Sequence, residues 1–328
     1  MNFQDNVIHQ ACALLEQGEL VVMPTETVYG LAADALNGQA VAKIYELKQR
    51  PQFNPLIIHV SDYEQAQQTA YFTDAAKKVA AVFWHDHPSP LTLVLNKKQT
   101  GLSSLVTAGL ETVAIRVPNH PVALDLLRAY GKPLAAPSAN RSMRISPTTR
   151  QAVYQSLGSR TPFVLEGGAC QVGLESTILD LTTDVPVLLR PGGTPVEVLE
   201  EMLGQTIQQE IGAMAIKAPG MMRRHYAPQL PLRLNCLEPG LEEAFLGFGC
   251  PLEASKAHLN LSSKGDVSEA AANLFSMLNQ LDNPSLFKGI AVMSVPLRGL
   301  GAAINDRLRR AACSELDQPL GVVPHPPA

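Results

Sequence analysis

The stretch Val21-Val22-Met23-Pro24-Thr25-Glu26-Thr27-Val28-Tyr29-Gly30-Leu31 decides how the rest of the chain is read. Its β-branched opening suits a short buried strand. Pro24 brings no backbone N–H and ends the ladder. Two hydroxyls, a carboxylate and a phenol follow before Gly30 frees the backbone. Polar residues gathered just past a buried strand mark the place where open α/β sheets bind ligands. The same residues would also serve as a plain turn, with Thr25 or Glu26 capping a helix.

The next segment favours a ligand. Lys48-Gln49-Arg50-Pro51-Gln52-Phe53-Asn54-Pro55-Leu56-Ile57-Ile58-His59 follows one short amphipathic helix later. That helix, 40–47, carries Val41, Ile44 and Leu47 on one face, and Pro51 blocks its continuation, so Lys48 and Arg50 fall at its C-terminal end. The macrodipole alone would favour cations there. Hydroxyls followed by cations, however, suit an anionic substrate held against a small polar one. A strand over 112–117 supplies another cation, because alternation sets Thr112, Ala114 and Arg116 on one face. A cation on a mostly apolar strand needs an anionic partner or water. Farther on, Ala135, Ala136 and Ala139 permit close approach to the backbone around Ser138 and Asn140. Ser146-Pro147 has the form of a helix start, N-cap then N1, whose free N–H groups would suit a phosphate. Gly173-Leu174-Glu175-Ser176-Thr177 reads as a glycine-rich turn into a strand, and 187–190 as a strand ending in Arg190.

A length of 328 residues with 46% hydrophobic and 17% charged residues describes a globular chain of two domains or one large one. A formal net charge of −4 argues against indiscriminate attraction to nucleic acid. Met1-Asn2-Phe3-Gln4-Asp5 has neither the basic nor the apolar region of a signal peptide, and no run approaches membrane-spanning length, so the protein reads as cytoplasmic. Cys12, Cys170, Cys236, Cys250 and Cys313 are scattered and never form a C-x-x-C pair. The eight histidines form no metal-ligand spacing, and no metal site built from protein side chains is visible.

Alternating strands and helices to about residue 205 describe one α/β domain. The segment from 205 to 229 has little periodicity and reads as a linker, within which the Arg223-Arg224-His225-Tyr226 cluster suggests a lid. From Leu232 the chain restarts as a smaller α/β unit with a helix over 268–281 and another from 301 to 312. Gly299-Leu300-Gly301 is too short a motif to mark a phosphate site. The tail from Pro319 is expected to be mobile.

Together these residues resemble the YrdC/Sua5 family. The likeness is carried by Pro24-Thr25-Glu26-Thr27-Val28-Tyr29-Gly30-Leu31, by Lys48-x-Arg50-Pro51 with Asn54-Pro55-Leu56, and by Pro137-Ser138-Ala139-Asn140 with Ser146-Pro147-Thr148. Leu261-Ser262, Gly265-Asp266, Glu269-Ala270-Ala271-x-Asn273-Leu274-Phe275 and Gly299-Leu300-Gly301-x-Ala303-Ile304-Asn305-Asp306-Arg307 resemble the extra domain of its longer, Sua5-type branch. The resemblance implies a YrdC-like twisted open α/β sheet with helices over 1–205, a linker with a lid over 206–230, and a smaller Rossmann-like Sua5 domain over 231–328. It implies a threonylcarbamoyl-AMP synthase, a nucleotidyltransferase making threonylcarbamoyl-adenylate, pyrophosphate and water from L-threonine, bicarbonate and ATP. The product would pass to a separate tRNA threonylcarbamoyltransferase, which forms N6-threonylcarbamoyladenosine at tRNA position 37. Direct tRNA binding by this chain stays open.

By the same resemblance Thr27, His59, Arg116, Ala136 and Ser176 would hold threonine. Arg50, Asn54, Thr112, Ser138, Ser146, Arg190 and Tyr226 would contact ATP. Lys48 and Arg50 would stabilise developing charge, no covalent nucleophile is expected, and Mg2+ would enter with ATP. Arg141, Met143 and Arg144 are bulkier and more basic than the family pattern, and Arg141 or Arg144 would add a phosphate contact. Two other readings compete. An RNA-binding module of the same fold is opposed by the net charge and the lack of aromatic-basic repeats. A hydrogenase-maturation carbamoyl-transfer domain would need accompanying zinc-finger or acylphosphatase-like segments, and none is visible.

Overall fold

The helical spacing of the N-terminal segment is realised as α1 (Phe3–Glu16), with Ile8, Ala11, Cys12 and Leu15 buried and Gly18 at φ 73° turning the chain away. The computed structural model describes residues 3–209, 217–249 and 258–313. The expected tail, Cys250 and part of the expected linker lie outside them.

Ten strands form one mixed sheet: β1 (Val21–Met23), β2 (Gly30–Asp34), β3 (Ile57–His59), β4 (Leu91–Asn96), β5 (Thr112–Arg116), β6 (Leu134–Ala135), β7 (Phe163–Val164), β8 (Thr177–Asp180), β9 (Val187–Arg190) and β10 (Gln208–Gln209). Their order is β10-β9-β8-β4-β5-β3-β6-β2-β1-β7. β3 and β5 run parallel, with His59 beside Arg116, while β6 runs antiparallel to β3 and brings Ala135 beside Ile58. Helices α2 (Gly38–Lys48), α3 (Tyr63–Thr69), α4 (Asp74–Ala81), α5 (Ser104–Thr107), α6 (Pro121–Tyr130), α7 (Arg150–Leu157) and α8 (Val196–Leu203) accompany the sheet. Asn37 caps α2 through bonds from the amides of Gln39 and Ala40.

A second, four-stranded sheet has order β11-β14-β12-β13, from β11 (Leu232–Arg233), β12 (Glu243–Gly247), β13 (Leu259–Asn260) and β14 (Gly289–Val292). All of its pairings are parallel, as a Rossmann-like unit requires. Helices α9 (Val267–Leu281) and α10 (Leu300–Ala312) complete it. Its apolar core is not its own alone. Val28, Leu174 and Tyr226 are buried in one cluster with Leu274, Phe275 and Ile304, so loops of the large unit pack into the small one.

Several local expectations change. After Pro24 the chain returns directly as β2, antiparallel to β1, a strand buried along its whole length and so without alternation. Ser146-Pro147 does not begin a helix. Pro147 O accepts from Tyr29 N and Thr148 O from Cys170 N, both at 2.9 Å, which holds this segment extended, and α7 starts after Thr149, whose side chain caps Ala152 N. The segment expected to be linker contributes β10, paired with β9. Gly301 packs where a Cβ would meet the Pro296 carbonyl, a structural role for that glycine.

Gly173 fits the joint between the units. At φ +71° a Cβ there would lie 2.5 Å from Ala272 Cα in α9, and the left-handed backbone alone costs an L-residue roughly 1–2 kcal/mol. Gly173→Ala should therefore loosen the two units, lowering the unfolding free energy by at least about 2 kcal/mol in denaturant titrations and speeding proteolysis between them.

Candidate active site

The ends of β3, β5, β8 and β9 meet the loops after β1 and β6 around one enclosed cavity. Arg50, His59, Arg116, Ala136, Ser138, Ser176, Arg190 and Tyr226 line it. A larger hollow, about 500 Å3, lies beside Trp84 and Arg128, but its basic groups are on the rim and not buried against one another.

The cations are fixed from behind. Arg50 donates from Nη2 to Asn54 Oδ1 at 2.7 Å and to the Pro55 carbonyl at 2.8 Å. Arg190 donates from Nη2 to the Ser176 carbonyl at 2.9 Å. Arg116 pairs through Nη2 with Glu26 Oε1 at 2.5 Å. Burial lowers the pKa of Arg50 to about 10 and, with Arg116 adding to it, that of His59 to about 3, which keeps this imidazole neutral. His225 is pushed down in the same way, by burial and then by Arg50 and Lys48. Cys170 has its thiol raised to about 12 by burial and by Glu26, which makes it unreactive.

Of the remaining expected residues, Lys48, Asn54, Thr27 and Ser146 support the cavity and do not line it. Lys48 is buried, and its Nζ donates to the carbonyls of Ser138 at 2.5 Å and Asn140 at 2.7 Å. Burial and Arg50 hold its pKa well below the ordinary value. It braces the Ser138–Asn140 turn. Asn54 orients Arg50, and Thr27 shares a 2.8 Å hydroxyl contact with Thr25, which does line the cavity. Ser146 Oγ donates to Glu175 Oε1 at 2.6 Å. Thr112 lies opposite Asn96 on β5, about 13 Å along the strand from Arg116, and the structure does not bring it to the cavity. Arg141 and Arg144 are exposed. Their carbonyls, both accepting from Asn140 Nδ2 at 2.9 Å, are what take part here.

Three residues missed in the sequence matter here. Glu26 balances Arg116, Glu175 lines the cavity between Ser146 and the small unit, and Arg307 of α10 reaches Glu175 Oε2 at 2.8 Å. Glu175 and Arg307 stand inside quoted motifs, but nothing local joins positions 132 apart. Buried polar atoms without a partner cluster around the same space: Glu26 Oε2, Arg116 Nε, His59 Nδ1 and Tyr226 Oη. Such atoms are uncommon in folded proteins. Here Arg116 Nε lacks an acceptor and Glu26 Oε2 lacks a donor, at or beside a cavity lined by three arginines.

A model of the Sua5/YciO/YrdC family, described as telomere recombination, matches residues 13–192. One of the threonylcarbamoyl-AMP synthase C-terminal domain matches 194–313. The chain belongs to the Sua5 family. Threonylcarbamoyl-AMP synthase of Bacillus subtilis (strain 168) is 40% identical over 331 residues, covering 95% of this chain and 94% of that protein. The crystal structure of Pyrococcus abyssi Sua5 complexed with L-threonine superposes with a TM-score of 0.84 at 37% identity, over 93% of this chain and 94% of that one. The threonylcarbamoyl-AMP synthase of Vibrio vulnificus (strain YJ016) matches at 36% identity over 56% of this chain and 98% of its own. Sua5 family members thus come with and without the small unit. Among the described residues no helix is long and apolar enough to cross a membrane.

Two outcomes test the electrostatics. Arg116→Met strands the Glu26 carboxylate and should destabilise the fold by about 3–5 kcal/mol. Adding Glu26→Gln should restore much of that stability in urea titrations without restoring ligand binding. As pH falls, the unfolded chain protonates His59 near 6.5 and the folded chain only near 3. Stability should then decline below pH 6.5 and hold above it. Denaturant midpoints across that window should show the slope, and His59→Gln should flatten it in part, with His225 accounting for more.

Proposed function

We propose that the cavity is the site of a threonylcarbamoyl-AMP synthase, in which L-threonine, bicarbonate and ATP give threonylcarbamoyl-adenylate, pyrophosphate and water. One observation carries the reading. Arg50, Arg116 and Arg190 face one buried space, in which the lining carboxylate, Glu175, is engaged by Arg307, while Glu26 stands behind the lining and pairs with Arg116. Positive charge is left over, and a triphosphate with an amino-acid carboxylate would balance it. The relatives named for this activity support the synthase reading over an RNA-binding module.

Threonine would sit among Thr27, His59, Arg116, Ala136 and Ser176, with Arg116 still offering N–H groups to its carboxylate. ATP would lie toward Arg50, Ser138, Ser146, Arg190 and Tyr226, with Asn54 acting through Arg50 and Lys48 through the Ser138 turn. Threonine's amine adds to bicarbonate and loses water, giving a carbamate. A carbamate oxygen then bonds to the α-phosphorus as the bond to the β-phosphate oxygen breaks, and pyrophosphate leaves. No side chain need attack. Orientation and preorganised cations each contribute several kcal/mol to such a step.

Mg2+ would arrive with ATP, held by phosphates and water. The carboxylates here are tied to Arg116, Ser146 and Arg307, and among the described residues no group of three or more His, Cys, Asp or Glu is arranged to hold a metal. Residues 218–227 would act as the lid. The cavity below them is about 50 Å3, against roughly 300–1,000 Å3 for sites of drug-sized ligands, so this segment has to lift for ATP. The adenylate would then pass to a tRNA-modifying transferase.

Pyrophosphate release from ATP by the purified protein should require both threonine and bicarbonate, with omission of either reducing it to background. Release indifferent to threonine would sink the assignment.

A further inference from the structure

We infer that Arg307, carried by the small C-terminal unit, is a positioning residue for the nucleotide half of the site, so that ATP recognition depends on how that unit is seated and threonine recognition does not. This rests on the synthase reading for the identity of the two ligands.

The Arg307 side chain is fully enclosed, with no exposed surface. Its Nε donates to Glu175 Oε2 at 2.8 Å and its Nη1 to Asp306 Oδ2 at 2.6 Å. Its guanidinium carbon lies 4.8 Å from the Tyr226 ring centroid. The other Glu175 oxygen accepts from Ser146 Oγ. One guanidinium therefore fixes two groups on the nucleotide side, Ser146 through Glu175 and Tyr226 through its ring face. One turn along α10, Arg310 also binds Asp306, at 3.0 Å, and donates from Nη1 to the Met222 carbonyl at 2.6 Å, within the proposed lid. The threonine side is held differently. Arg116 is paired with Glu26 from the loop after β1, and His59 stands beside it on the neighbouring strand. Both supports belong to the large unit, as do Thr92 and Arg190, which hold the Ser176 hydroxyl.

Arg307 is also not replaceable by charge alone. A lysine keeps the cation but cannot bind two carboxylates in a fixed fork or present a flat face to Tyr226. A merely structural Arg307 would, when changed, lower thermal stability and leave both affinities alike.

The test is equilibrium dialysis of the full-length protein with ATP and with L-threonine separately, alongside pyrophosphate kinetics, at a temperature well below the melting point. Arg307→Lys should weaken ATP binding about tenfold or more and raise the KM for ATP more than it lowers kcat, with threonine binding within about twofold of the parent. Arg310→Ala, at a part-exposed position, should move ATP binding in the same direction by a smaller factor, and it decides the matter where Arg307→Lys does not fold. Unchanged ATP affinity, or equal losses for both ligands, overturns the proposal. Because ATP binding is read directly, a parent protein that releases no pyrophosphate would count against the synthase reading and leave the Arg307 result standing by itself.

Discussion

Buried positive charge is the constraint on which the rest of this structure depends. Lys48, Arg50, Arg116, Arg190 and Arg307 are each less than a tenth exposed, and withdrawing each such ion from water costs several kcal/mol unless it is well paired. Glu26, Glu175 and Asp306 offset part of this. Main-chain carbonyls supply the rest, from Ser138 and Asn140 to Lys48, from Asn54 and Pro55 to Arg50, and from Ser176 to Arg190. Carbonyls are free for this only where the chain has left a ladder or a helix. The short strands β3 and β8, each entered from such a loop, and β6, which runs out into one, are the form a sheet takes when the loops at its strand ends have to wrap cations.

The same requirement explains why the two units have no clean border. The cation side of the cavity is closed by loops whose apolar residues, Val28, Leu174 and Tyr226, have no place in the large sheet's own core and are buried among α9 and α10 instead. Arg307 then brings a guanidinium to the carboxylate that those loops carry. Gly173 and Gly220 mark close approaches at this border, against α9 and against Arg190 and Tyr226. Any larger residue at either would push the small unit or the lid segment away from the cavity.

What could be read in the sequence followed from how local each signal is. The helices α1, α2, α6, α9 and α10, and the alternating strand ending in Arg116, announce themselves by period and by their caps. Arg50 and Arg116 stand out as cations at a helix end and on a mostly apolar strand, whereas His59, Ser138 and Ser176 are reached as site residues through the family resemblance. β2 was illegible because a strand buried on both faces has no alternation, and its Gly-Leu-Ala-Ala run has weak strand preference. Ser146-Pro147 misled because a helix start and an extended strap use the same residues, and a bond from Tyr29, far off in sequence, decides between them. Lys48 carried the right type but not the direction of its side chain. The Glu175–Arg307 link was beyond reach for the same reason, since a contact across two units leaves no spacing to recognise.

Closure then has a definite energetic meaning. Tyr226 is in the left-handed region at φ 60°, a conformation a bulky residue keeps only when its surroundings over-determine it. They do so here: its ring stacks on Phe275 with centroids 5.6 Å apart, Arg307 covers the ring, and Ala227 N donates to the Met143 carbonyl at 2.8 Å. In the proposed reaction this segment would lift to admit ATP and settle back over it, and these contacts would then favour the closed, nucleotide-bound arrangement. Both a carbamate and a mixed carbamoyl–phosphate anhydride are lost to water, and a lid held down by the second unit would keep water from them until the product leaves.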